Sequence, residues 1–129
     1  MGYQDDMIDI MTRESDAFID RVINVLANYP EAEFAPAAQT ILQVLAQNYS
    51  HSADDNGKMT SAAFSDFIEE NLPLLLDLRK QMELGSRGIT PAAQQCKRAV
   101  QACDDMLEKA IHAGVISPDA AGLQAGIHM

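Results

Sequence analysis

The stretch that decides the fold is residues 90–114, TPAAQQCKRAVQACDDMLEKAIHAG. Thr90 followed by Pro91 marks a helix start, because a threonine side chain can cap free backbone amides and proline suits the first helical position. Gly114 fits the helix end. The apolar side chains between these signals recur every three or four residues: Ala92, Cys96, Ala99, Val100, Cys103, Met106, Leu107 and Ala110. This stretch predicts an amphipathic helix whose small inner side chains let a neighbouring helix approach closely.

Two further amphipathic helices are predicted in the N-terminal half. The first covers about residues 5 to 28 and ends before Pro30, since proline disfavours helical geometry in the residue before it. Its apolar seam has heptad spacing: Ile8, Met11, Ser15, Phe18, Val22, Val25 and Tyr29. The second helix begins near Pro36 and ends at about Tyr49. Residues 50–57 are polar and predict the clearest loop of the chain.

A third helix is predicted around a proline and a dense cluster of leucines. Thr60 or Ser61 caps its start. Pro73 lies in its middle, where we expect a kink because proline removes a backbone hydrogen bond. Leucines beyond the proline cover more than half of the helix circumference. This pattern predicts either a fully buried central helix or a hydrophobic interface with a second copy of the chain, in which Leu72 and Leu76 would bind the partner.

Together these segments predict an all-α fold in a single domain covering all 129 residues. The expected architecture is a compact bundle of four main helices, with the third kinked at Pro73, plus a short C-terminal helix from Ser117-Pro118 to about Gly126. Short connections favour antiparallel neighbours. No segment alternates apolar and polar residues as a half-buried strand does. The chain also lacks the roughly 18 consecutive apolar residues of a membrane span, so we expect no membrane association.

Acidic residues dominate the N-terminal third. The net charge is −10, and residues 1–34 hold eight acidic against two basic side chains. Four carboxylates share roughly 60° of arc on the first helix, facing away from its seam: Asp5, Asp9, Asp16 and Asp20. They form either a solvated face or a docking surface for a partner protein with a basic surface. Such a surface repels phosphates, so we expect no direct binding of nucleic acid.

The candidate catalytic and metal-ligating side chains do not combine into a site. Cys96 and Cys103 are seven residues apart on one predicted helix, and their backbones lie roughly 10 Å apart, too far for a disulfide. We expect them to be small buried side chains in a reducing compartment. Glu108 and His112 fall on the solvated side of the same helix. The sequence therefore predicts no catalytic residues, no resident metal and no cofactor, and we expect a protein that is not an enzyme.

Residues 52–63 carry the one metal-like spacing. With Gly57 at the sixth position, this loop partly resembles an EF-hand, and Asp54 and Asn56 occupy ligand positions. Ser52 and Ala63 occupy the first and last positions, where a calcium loop needs carboxylates. We therefore favour a capped polar turn and keep a degenerate metal-binding helix pair as an alternative.

The absence of catalytic patterns and the acidic helical surface favour a function in protein–protein binding, as an adaptor, inhibitor, immunity protein or assembly chaperone. One alternative is a nucleic-acid mimic that blocks a DNA- or RNA-binding protein. A small-molecule pocket beside Pro73 is a further possibility, because a kinked helix near small residues can leave space. The N-terminal residues lack the basic and apolar regions of a signal peptide, so we expect a cytoplasmic protein.

Overall fold

The computed structural model describes residues 3–56 and 58–119, and within them the side chains of residues 12–56, 58–60 and 62–119. Four helices follow one another: α1 (Tyr3–Asn28), α2 (Ala35–Ser52), α3 (Ser61–Gly85) and α4 (Pro91–His112). These described ranges contain no strand, and the all-α prediction is confirmed. No helix in them is both long and apolar enough to cross a membrane. Most of the predicted C-terminal helix, residues 120–126, lies outside the described residues.

The starts of α3 and α4 are fixed by threonine caps. The Thr60 Oγ1 accepts a hydrogen bond from the amide of Ala63 at 3.0 Å, and the Thr90 Oγ1 accepts one from the amide of Ala93 at 3.1 Å. Each bond satisfies an amide that has no partner inside the helix. Gly114 follows α4 with a φ of +76°, a left-handed conformation that suits glycine. The predicted helix signals are therefore confirmed, with Thr60 as the cap of α3.

The predicted end of α2 was wrong by three residues. The helix continues past Tyr49 to Ser52. The polar residues 50–52 are exposed, yet their backbone is helical and not a loop as predicted. The chain leaves the helix where Asp54 begins a turn of its own, its Oδ1 accepting from the amides of Asn56 and Lys58, both at 2.9 Å. A carboxylate that binds nearby amides offers the backbone an alternative to the helix.

The helices pack in the spatial order α2, α3, α4, α1. The most extensive contact joins α1 to α4, and α3 lies between α4 and α2. The Asn28 Nδ2 donates to Gln95 Oε1 at 3.2 Å, which places the end of α1 beside the beginning of α4. Arg79 forms an ion pair with Asp104 at 2.8 Å between α3 and α4. Although α1 and α2 are consecutive in sequence, they have at most marginal contact within the described chain. The four helices therefore form an arc that is open between α1 and α2.

The inner face of α4 consists mainly of small side chains. Its buried residues are Ala93, Cys96, Ala99, Ala102, Cys103, Met106, Leu107 and Ala110. Six of these eight belong to the predicted stripe, whereas Ala92 and Val100 are half-buried. Small side chains let helix axes come close together, and α4 accordingly packs against both α1 and α3.

The leucine cluster of α3 contributes mainly to the core. Pro73 lies inside α3, the helix continues through it, and its own side chain is exposed. The kink expected there stays a prediction. Leu72 is buried at 5% exposure, and Leu75 and Leu78 are buried as well. Leu76 is half-buried and packs against the core. The hypothesis of a buried central helix therefore describes most of this segment.

Candidate functional site

The opening between α1 and α2 is an apolar groove with a volume of about 850 Å³. Helix α3 forms its floor, and α1 and α2 form its two walls. The floor residues are Phe64, Phe67, Ile68 and Leu75, and the apolar wall residues are Ile19 and Ile23 from α1 and Leu42, Leu45, Ala46 and Tyr49 from α2. Side chains of the apolar core therefore line this surface groove.

The apolar surface of α1 is wider than its contact with α4 and α3 requires. Phe18, Val22 and Val25 are at most 1% exposed and form the seam that the sequence predicts. Ile19 and Ile23 lie one residue beyond Phe18 and Val22, and they face the groove instead. Ile23 is 50% exposed. A helix whose apolar stripe exceeds its buried face has surface left for a second contact.

An aromatic pair and an amide pair join α2 to α3 beside the groove. The rings of Tyr49 and Phe67 meet edge to face, with centroids 5.5 Å apart and an interplanar angle of 85°. Next to them, the Asn48 Nδ2 donates to the Oδ1 of buried Asn71, whose Nδ2 donates to the carbonyl of Phe67 at 2.8 Å. Because each buried amide group has a partner, these bonds hold α2 at a defined position on α3.

The two edges of the groove differ in charge. Asp16 and Asp20 line it from α1, one helical turn apart, while Gln39, Gln43 and Ser50 line it from α2. Although both carboxylates are exposed, partial burial of Asp16, together with repulsion from Asp20, raises the pKa of the Asp16 carboxyl. No basic side chain among the described residues lines the groove. One edge is therefore acidic and the other is neutral and polar.

The predicted acidic face meets this groove in part. Asp16 and Asp20 lie on its edge, so the structure joins them to an apolar surface that the sequence analysis did not connect with them. Asp5 and Asp9 belong to the first turns of α1, but their side chains lie outside the described residues. Ile19 and Ile23 were missed as site residues, although their apolar character outside the heptad seam is visible in the sequence.

The two leucines predicted to bind a partner do not line the groove. Leu72 belongs to the core, and Leu76 packs against it with part of its side chain exposed. A contact of these residues with a second copy stays a prediction.

The two thiols are free and are buried between helices. Cys96 and Cys103 are both 0% exposed, as predicted. Burial, reinforced by the charge of Asp104, raises the pKa of Cys103 to about 12, against the lowering effect of Arg79. Burial also raises the pKa of Cys96. Both side chains are therefore protonated at neutral pH, whereas a cysteine nucleophile acts as the thiolate.

No group of three or more His, Cys, Asp or Glu side chains in the described residues could hold a metal ion. In the loop that partly resembles an EF-hand, the Asp54 carboxylate accepts from the amides of Asn56 and Lys58, and these bonds hold its pKa below the ordinary value. The Asp54 amide donates in turn to the carbonyl of Lys58 at 2.8 Å. These bonds form the capped polar turn that the sequence analysis favours.

Neither a family model, nor a curated protein, nor a solved structure matches the chain. The chemistry of the groove therefore carries the functional argument.

Proposed function

We propose that this protein acts by binding another protein, without catalysis, and that the α1–α2 groove is its binding site. The observation that carries the proposal is the apolar groove left open between two consecutive helices that barely touch. Its floor is continuous with the core, and Ile23 on its wall is half exposed. Covering such a surface removes apolar area from water, at roughly 25 cal/mol per Å².

The shape of the groove favours a polypeptide over a small molecule. Its lining covers residues 15–23 of α1 and 39–50 of α2, which correspond to about 12 Å and 17 Å of helix axis. Small-molecule sites enclose most of the ligand and point a few polar groups at it. Here the polar side chains lie along the two edges, an arrangement typical of protein interfaces with an apolar centre and a polar rim.

The remaining chemistry supports a binding role. Within the described part of the chain, the groove lining contains two carboxylates, Asp16 and Asp20, but neither histidine nor cysteine. Both thiols are buried and protonated elsewhere in the fold. We also propose a reducing, cytoplasmic location, which is supported by Cys96 and Cys103 being free.

A variant that fills the groove tests this function. Ala46 lines the groove and is exposed, whereas Ala37 is equally exposed on α2 but lies outside the groove. We expect Ala46→Trp to abolish capture of the partner from the source cell, while Ala37→Trp retains it. The affinity of the purified partner should fall at least tenfold for Ala46→Trp alone. Thermal unfolding of both variants controls for loss of fold. Equal capture and equal affinity for the two folded variants would contradict the proposal.

The captured partner also tests the nucleic-acid mimic. A mimic binds the partner at its nucleic-acid site, so DNA or RNA would displace it in a competition assay. A partner that inserts a segment into the α1–α2 groove would be displaced by that segment as a peptide, and nucleic acid would have no effect.

A further inference from the structure

The position and length of the groove would accommodate one additional helix. Helix α1 packs mainly on α4 and α2 packs on α3, and in the described chain α3 forms the floor of the space between α1 and α2. A helix laid there would contact three helices, as the members of a bundle do at interaxial distances of roughly 8–10 Å. The lined length of about 12–17 Å accommodates two to three helical turns.

The acidic edge of the groove favours basic side chains on a helix that binds there. Asp16 and Asp20 stand one turn apart, and no described basic side chain pairs with either of them. A lysine or arginine lying against this edge would relieve the repulsion between the two carboxylates. The described residues of the opposite edge include Gln39 and Gln43, which offer amide groups, and none of them is charged.

The same charges argue against an occupant supplied by this chain. A second copy also has a net charge of −10, so two copies repel each other. Residues 120–129 include Leu123 and Ile127 but no lysine or arginine. A segment of a different protein is therefore the better complement.

We infer that the groove binds an amphipathic helix of a different protein, with apolar side chains three and four residues apart on the floor and with lysine or arginine one turn apart against Asp16 and Asp20. This inference rests on the proposed function and names the chemistry of its partner. It is the helix-in-groove mode of recognition. The flank toward α2 carries neutral polar residues that hydrogen-bond Gln39 and Gln43.

Three synthetic helical peptides of 14 residues test the inference. They share one leucine stripe and differ only at two flank positions four residues apart, which hold lysine, glutamine or glutamate. We expect the lysine peptide to bind the full chain at least tenfold more tightly than the glutamate peptide in fluorescence anisotropy. This advantage should shrink between 50 mM and 500 mM salt, because exposed charges are screened.

Matched protein variants locate the binding. Asp16→Asn with Asp20→Asn should remove the advantage of the lysine peptide over the glutamine peptide. Asp66→Asn with Glu70→Gln removes two exposed carboxylates of the same spacing outside the groove, and it should leave that advantage intact. Ala46→Trp should weaken all three peptides.

Several results would overturn the inference. One is equal binding of the lysine and glutamate peptides, another is an unchanged preference in the Asp16/Asp20 variant, and a third is no binding of any peptide at millimolar concentration. In each case, a partner lost with Ala46→Trp in the capture experiment would keep the proposed function intact.

Two further measurements test whether a segment of this chain or a second copy of it occupies the groove. Sedimentation of the full chain that shows a dimer, broken by Ala46→Trp, would assign the groove to a second copy. Tighter peptide binding after Leu123→Ser with Ile127→Ser would assign it to residues 120–129. Either result would overturn the inference of a foreign helix.

Discussion

At the residue scale, Asp16 is a carboxylate whose surroundings disfavour its charge. Partial burial and the neighbouring Asp20 raise its pKa above the ordinary value of 3.8. When the pKa of an acid is higher in the folded than in the unfolded state, binding of its proton stabilises the fold. Stability is therefore gained as the pH falls through the folded pKa, and the gain is complete below the unfolded pKa. At neutral pH, the ionised Asp16 lacks this stabilisation.

Asp16→Asn is expected to increase the free energy of unfolding slightly at pH 7, by no more than the roughly 0.5 kcal/mol typical of surface substitutions, and so to raise the melting temperature. The difference from the wild type should vanish below about pH 3, where the wild-type carboxyl is protonated as well. Thermal unfolding monitored by circular dichroism at the two pH values measures it. Asp66→Asn, at an exposed position outside the groove, is the control. A lower melting temperature for Asp16→Asn at pH 7 would contradict this account.

Cys103 is expected to resist alkylation in the native protein. Its burial and its pKa of about 12 leave almost no accessible thiolate at pH 8. Labelling by iodoacetamide, followed by mass spectrometry, should therefore proceed only as fast as the fold opens and should accelerate strongly in denaturant. Labelling at the rate of a free thiol in native buffer would show that the interface of α4 is open.

At the element scale, the attachment of α2 depends on a polar contact inside an apolar interface. Asn71 is 5% exposed; its side chain accepts a hydrogen bond from Asn48 and donates one to the carbonyl of Phe67. It lies two residues before Pro73, and these bonds give it a structural role. Pro73 has no amide hydrogen to donate to the carbonyl of Glu69, yet the Asn71 side chain donates to the carbonyl of Phe67 instead.

Asn71→Leu is expected to destabilise the fold by about 1–3 kcal/mol, because it leaves the half-buried amide of Asn48 without this partner. Adding Asn48→Ala should restore part of the loss, since no orphaned amide then remains. Urea denaturation of both single variants and of the double variant gives the coupling energy. Strictly additive effects would show that the two amides do not act as a pair.

At the scale of the whole molecule, the helices could be predicted because their signals are local. The Thr60 and Thr90 caps, Pro30 after α1 and Gly114 after α4 each act within a few residues. The groove could not be predicted in this way. Ile19 differs from buried Phe18 by one position, and only the packing of α4 on α1 decides which of the two faces the core. A helical wheel identifies an apolar face but does not say which neighbouring helices fail to meet.

The open arc predicts uneven stability across the molecule. Helix α4 packs on two helices, whereas α2 packs extensively on α3 only. Amide hydrogen exchange should therefore be faster in α2 than in α4, because regions with fewer packing partners open at lower free energy. Mass spectrometry of peptic fragments measures this, and the lysine peptide should slow exchange in α2 selectively. Equal protection of α2 and α4 in the free protein would contradict the prediction.

Gly85 lies at a close contact between two helix ends. A methyl group on its Cα would lie 2.5 Å from Cε2 of Phe34 and 2.7 Å from Sγ of Cys96. Phe34 directly precedes α2, so this bare backbone lets the beginning of α2 rest against the end of α3. Any side chain there would force the ring of Phe34 and the thiol of Cys96 to move. The lack of a side chain at Gly85 thus sets how closely these two helix ends can approach.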